Sequence, residues 1–393
     1  MTDLHLLDET GAVTSVPAAA PAGHAKPAGD LRSRTVFAAA HVVPEPWADN
    51  TPGRPAEIDW DATLAFRHHL WSWGLGVADA MDTAQRNMGL DDAATRELIR
   101  RSAAEAASVG GQLVVGVNTD HVADEVIGLD DVATAFRRQL THAEDCGAGV
   151  VLMSSRHLAR AAEGPADYER VYGEVLAAAG APVVLHWLGE AFDPALRGYF
   201  GSTDWRVAAD TLVRIIEAAP EKVRGVKMSL LDAASELAVR RRLPATATMF
   251  TGDDYHYVDL IGGDGPDGSD HSDALLGAFA ALGPSASAAV QALDAGDEAA
   301  YRRILGPTEA LSQQIFAPPT MYYKTGVAFM SWLNGHQQAF SMVGGLHSAR
   351  SLPHLSRIVE LANACGALER PELAARRWND YLAVHGVTAG GAR

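Results

Sequence analysis

The sequence predicts an α/β fold, a (β/α)8 TIM barrel closed by a C-terminal helical region, and three observations lead there. Seven short apolar runs alternate with longer segments of helical period. The runs are apolar on both faces, as strands of a parallel sheet covered by helices must be. Strand signals then stop near residue 285, and the remainder of the chain has helical period throughout.

In chain order, residues 1–32 are rich in Ala, Pro and Gly and read as a poorly ordered N-terminal extension, or one that hugs the surface. The barrel is expected over 33–285, with strands at Thr35–Val43, Gly76–Met81, Gln112–Val117, Gly149–Met153, Pro182–Trp187, Val223–Ser229 and Thr246–Thr251. Helical segments between them, such as "DDAATRELIRRSAAEAASVG" and "TDWRVAADTLVRIIEAAP", open with Asp, Ser or Thr. The eighth strand is blurred. "DGPDGSDHSDALLGAF" reads as a loop over the mouth in its place, and its spacing does not match a calcium loop. About 250 residues is the size of a closed barrel. An open doubly wound sheet would fit the alternation too, but no Gly-rich phosphate loop follows the first strand. Residues 286–393 form the C-terminal helical region.

The chain has 393 residues, 48% apolar, which is ample for a full core. Forty-nine acidic against 32 basic residues give a net charge of −17, which repels a phosphate backbone, so no nucleic-acid partner is expected. No apolar stretch approaches the roughly 18–20 residues of a membrane span, and the first residues do not resemble a secretory signal. Cys146 and Cys365 lie far apart without CxxC spacing, so a cytoplasmic protein with reduced thiols is expected. Cys146, at a helix end, reads as a packing residue.

Barrel active sites lie where the strands end. Here the runs end in Asp82 and Thr83; in Asn118 to His121; in Ser154, Ser155, Arg156 and His157; in His186; and in Gly252, Asp253 and Asp254. The sixth run, "VRGVKMS", carries Lys227 among apolar neighbours. A lysine in a low-dielectric barrel has its pKa depressed, and neutral amine forms a Schiff base with a ketone or aldehyde. The competing reading is a lysine that reaches out of the mouth to pair with Asp253 or Asp254.

"VRGVKMSLLD" resembles the strand-six stretch of the dihydrodipicolinate synthase/N-acetylneuraminate lyase superfamily, and "MFTGDDYHYVDLIGGDG" resembles that family's next strand. The first helix, second strand and following helix are also similar, in "DWDATLAFRHHLWSWGLGVADAMDTAQRNMGLDD". The chain is identified as a member of a branch catalogued as domain of unknown function family 993. The resemblance implies a class I aldolase-like lyase in which Lys227 forms the imine, with no cofactor and no metal, and a homodimer or homotetramer.

Two departures qualify what it implies. The family's catalytic tyrosine after strand four is absent from "LMSSRHLAR", so His186, Ser155 or His157 would move protons. His186 also fits a role as a histidine satisfied by hydrogen bonding alone. Where the family binds a carboxylate with threonines, the chain has "MDTAQR", which keeps Thr83 but places Asp82 at the site. Either Arg86 or Arg156 offsets that charge, or the substrate has none there. Asp82, Thr83, Arg86, Arg156, Gly252, Asp253 and Asp254 are the expected substrate-binding residues, and a keto-sugar or sugar-derived oxo acid is the expected carbonyl substrate. The rival readings are a metal-dependent sugar isomerase or epimerase drawing on His41, Asp82, His121, His186, Asp253, Asp254 and His256, and a non-catalytic ligand-binding barrel. Lys324, in "PPTMYYKTG", reads as a surface or interface lysine, and Tyr322 and Tyr323 as packing residues.

Overall fold

A computed structural model describes residues 3–263, 270–388 and 391–392. Eight parallel strands close a barrel in chain order: Val36–Ala39, Gly76–Asp79, Leu113–Val117, Gly149–Leu152, Val183–Leu188, Val223–Ser229, Thr248–Thr251 and Asp273–Leu276. The eighth strand corrects the loop expected in its place: Ala274 pairs with Val36 on one side and Thr251 on the other. Its sequence signal is weak because it is short and carries no β-branched residue. Asp273 opens it, and its carboxylate accepts the Thr35 N–H at 2.8 Å. The beginning of that segment, 264–269, lies outside the described residues.

Helices between strands start where side-chain acceptors stop the backbone. Asp91 caps Asp92–Val109, Asp204 caps Trp205–Ala218 and Asp59 caps Trp60–Ser72, each accepting an N–H of the first turn. Pro165 opens Pro165–Ala178, where its missing N–H costs no hydrogen bond. The outer faces of the strands and the helices over them share one continuous core.

Inside the barrel, every second residue forms a separate apolar plug of Phe37, Val114, Val151, Val184, Phe250 and Leu275. Gly225 is required by this plug, since a Cβ there would lie 2.8 Å from the Phe250 ring and 2.3 Å from the Thr248 carbonyl. Two residues beyond Val184 and Gly225 the interior turns polar, at His186 and Lys227, which places the site above the plug.

Residues 3–17, part of the extension that composition marks as poorly ordered, contain a hairpin, Asp3–Leu7 paired with Val13–Pro17. It packs on the C-terminal helices: Leu4 is fully buried, the Leu7 N–H donates to Ser356 and Trp378 Nε1 donates to the His5 carbonyl. The C-terminal region adds Glu298–Leu305, Glu309–Ile315, Tyr323–Leu333, Leu352–Ala364 and Pro371–Val384. Every residue of Tyr323–Leu333 is buried, and this helix packs against the turn Asp82–Ala84 at the end of strand two. Among the described residues no helix is long and apolar enough to cross a membrane.

Candidate active site

Lys227 lies in register with His186 on strand five and Phe250 on strand seven. It is 8% exposed and makes no hydrogen bond or ion pair among the described residues. Burial lowers its pKa, while the charges of Asp82 and Asp254 work the other way. Gly252 makes room for it, because a Cβ there would come within 2.9 Å of Lys227 Cε and 2.2 Å of Ser229 Oγ. The glycine of "TGDD" thus holds strand seven against the lysine.

The two aspartates of that motif divide. Asp254 turns inward: its carboxyl accepts the Ala278 N–H at 2.9 Å, and burial pushes its pKa up to about 8. Asp253 does not face Lys227. Its oxygens accept the Tyr255 and His256 N–H groups and meet His256 Nδ1 at 2.9 Å, so it shapes the turn.

His186 is fully buried beside Lys227, with Nε2 3.2 Å from Ser229 Oγ and no partner for Nδ1. Burial, aided by the Lys227 charge, holds it well below the usual histidine range, so the ring is neutral. Ser155 is occupied elsewhere: its hydroxyl caps Arg156–Ala161 through the Leu158 N–H and meets Thr119 at 2.6 Å. His157 is held by the same Thr119 and the Asp124 carbonyl.

Ala80 adopts a left-handed φ of 48°, which ends strand two and turns the chain into Asp82–Ala84. Thr83 Oγ1 then meets Tyr323 Oη at 2.8 Å. The Tyr323 ring stacks on Phe316 at 4.4 Å and meets the Phe192 ring edge-on at 5.8 Å, and these three rings roof the mouth. Burial, reinforced by Asp82 and Asp254, raises the Tyr323 phenol well above its usual pKa. The next residue corrects the surface reading of Lys324. It is 3% exposed, its ammonium contacts Met88 Sδ at 3.2 Å, and burial lowers its pKa to about 8 despite Asp82. Asp82 therefore acts electrostatically on Lys227, Lys324 and Tyr323 alike.

Of the arginines, Arg86 is not free to meet a substrate. Its guanidinium pairs with Asp120 and donates to the Ala80 and Gly116 carbonyls, Asn118 and Gln139, all within the protein. Arg156 pairs with Asp193 while remaining partly exposed, and its charge acts on Lys324. The side chains considered for a metal at the mouth do not converge. His41 bonds Gln337, His121 bonds Gln139, and Asp253 is tied to His256. Among the described residues, the one group of three His, Cys, Asp or Glu with ligand atoms close together is His69, His336 and Glu369, away from the mouth.

Tyr323 and Lys324 are the site residues that strand-end reasoning misses. Their helix is buried on all sides, and nothing local distinguishes a packing tyrosine from one aimed at a barrel 240 residues earlier in the chain.

A lysine-bearing parallel barrel with a helical C-terminal region is a fold with known relatives. The chain belongs to the family described as "Protein of unknown function (DUF993)", whose model matches residues 4–387. It is similar in fold to dihydrodipicolinate synthase from Aquifex aeolicus, with a TM-score of 0.65 and 12% identity over 86% of this chain and 99% of that one. The enzyme from Bacteroides thetaiotaomicron gives 0.64 and 15% over 86% and 100%, and the Thermotoga maritima enzyme 0.63 and 12% over 85% and 100%. No curated protein matches the sequence.

Proposed function

We propose that the protein is a Schiff-base-forming lyase that acts on a sugar-derived oxo acid or keto-sugar through Lys227. The observation that carries this reading is a buried lysine above an apolar plug, with a lowered pKa and no bonded partner. A structural lysine in that position would be paired, because an unpaired buried ammonium is costly. As neutral amine, Lys227 attacks the substrate carbonyl carbon. The resulting carbinolamine loses water to give a protonated imine, which withdraws electrons from the adjacent carbon–carbon or carbon–hydrogen bond.

Protons are handled by three groups around the amine. Asp254, with a pKa near 8, is protonated at neutral pH and supplies the proton for loss of water. His186 is neutral, and its unpartnered Nδ1 is available to accept one. The Thr83–Tyr323 pair donates from the roof, in place of the tyrosine missing after strand four. Asp82 accepts from substrate hydroxyls. Lys324, rather than Arg86, offsets its charge, and with Arg156 it favours a substrate with an acid group over a neutral sugar. The similarity in fold to dihydrodipicolinate synthases agrees with this class of chemistry.

Borohydride reduction during incubation with a panel of keto-sugars and oxo acids, followed by peptide mapping, tests the proposal. One adduct on Lys227 is expected, absent from Lys227→Ala. Because Lys324 is also buried with a lowered pKa, an adduct that survives Lys227→Ala and vanishes in Lys324→Ala would move the chemistry to the roof. No adduct in the unaltered protein would remove the reading.

A further inference from the structure

A second cluster of reactive side chains lies between the barrel and the C-terminal helices. His69 occupies the last turn of Trp60–Ser72, His336 follows Tyr323–Leu333, and Glu369 precedes Pro371–Val384. Both imidazoles direct Nε2 at the same carboxylate oxygen: His336 lies 2.8 Å and His69 3.8 Å from Glu369 Oε1. One ligand atom from each residue falls within 4.8 Å of the others.

The surrounding structure holds this geometry. Asn334 Nδ2 donates to the Ala367 carbonyl at 3.0 Å and Asn334 Oδ1 accepts the Glu369 N–H at 2.9 Å, so one side chain sets the Glu369 segment beside His336. Gly335, at φ 82°, makes the turn that brings His336 back. Phe66 stacks on the His69 ring at 6.0 Å and meets His336 edge-on at 5.5 Å. Glu369 also borders a cavity of about 190 Å³ that His24 and Trp73 line, leaving space for a water ligand.

We propose that His69, His336 and Glu369 bind one divalent transition-metal ion of the zinc class, clamping the barrel's first helix to the C-terminal helical region. Two imidazoles and one carboxylate with an open fourth position are a common zinc donor set. Lys26 and Arg370 carry positive charge nearby, which disfavours a hard cation held by charge alone and leaves nitrogen ligation as the source of affinity. The ion would sit at one end of Tyr323–Leu333, the helix whose other end carries Tyr323 and Lys324 over the mouth. It would fix that helix without touching substrate.

The test uses untagged full-length protein freed of metal with a chelator. Calorimetric titration with zinc should give one site per chain, and cobalt should give the visible absorption of a four-coordinate nitrogen–oxygen site. The His69→Gln, His336→Gln double variant should lose that absorption and bind zinc more than about 10-fold more weakly. If it does not fold, Glu369→Gln, which keeps an acceptor for His336, carries the test with the same expectation. Absence of saturable binding by the unaltered protein overturns the proposal. So does an unchanged cobalt spectrum or zinc affinity in the folded variant, which would place the ion elsewhere.

Discussion

Two buried cations stand on opposite sides of the same barrel mouth, and their surroundings differ completely. Arg86, between strands two and three, is satisfied by Asp120, two carbonyls, Asn118 and Gln139. Lys227, on strand six, has no bonded partner among the described residues. Burial costs both groups, but the first recovers that cost through hydrogen bonds and the second does not. A cation whose donors are all engaged holds strand ends together. One left free above an apolar plug is available for chemistry.

The largest expected effect tests the structural side of this contrast. Replacing Arg86 by Met strands the Asp120 carboxylate, and breaking such a pair costs about 3–5 kcal/mol. Denaturant unfolding should register that loss, while the fraction that folds still forms a borohydride-trapped adduct on Lys227. If Arg86→Met is stable and unable to form the adduct, Arg86 binds substrate and the contrast fails.

A smaller effect is expected at the roof. Lys324→Met should remove a charge-assisted hydrogen bond to an acid-bearing substrate, worth about 1.5–3 kcal/mol. That appears as a KM increase of roughly 10- to 100-fold for the oxo acid. A neutral keto-sugar should be little affected. An equal loss for both would make Lys324 a packing residue.

The smallest effect sharpens the account of Lys227 itself. Where Asp254 is ionised, near and above its own pKa of about 8, its charge favours the protonated ammonium, so Asp254→Asn should lower the Lys227 pKa further. Imine formation requires free amine, and its rate rises with pH as Lys227 loses its proton. The rising limb of the trapping profile should therefore move to lower pH, by about one unit. An unmoved profile would mean that Asp254 is neutral throughout and acts only as a donor.

Lys227 and Arg86 also show how far the sequence could be read. Lys227 stands out because a charged residue interrupts a strand that is apolar on both faces, and that contrast is local. The fate of Arg86 is not local, since its partners include Gln139, 53 positions along the chain. Asp253 and Asp254 are adjacent, and only the turn that engages Asp253 with Tyr255 and His256 decides which carboxyl faces the lysine. Ser155 reads from the sequence as a strand-end candidate for moving protons, and only the folded chain shows its hydroxyl engaged as a helix cap by the Leu158 N–H.

What the sequence determined by itself was the pattern of alternation. Apolar runs of strand length, capped helices between them and a helical tail dictate a covered parallel sheet, because each element must bury its apolar face against the next. The position of Lys227 and the glycine of "TGDD" belong to the same local signal. Tertiary structure alone decided the rest. It closed the barrel with a strand too short to announce itself, folded the N-terminal hairpin onto the C-terminal helices, and brought Tyr323 and Lys324 over the mouth. It also gathered His69, His336 and Glu369 from three separate elements. The physical reason is range. Strand and helix periods arise from neighbours in sequence, whereas the pairing of a buried polar group depends on which distant group the packed chain sets beside it.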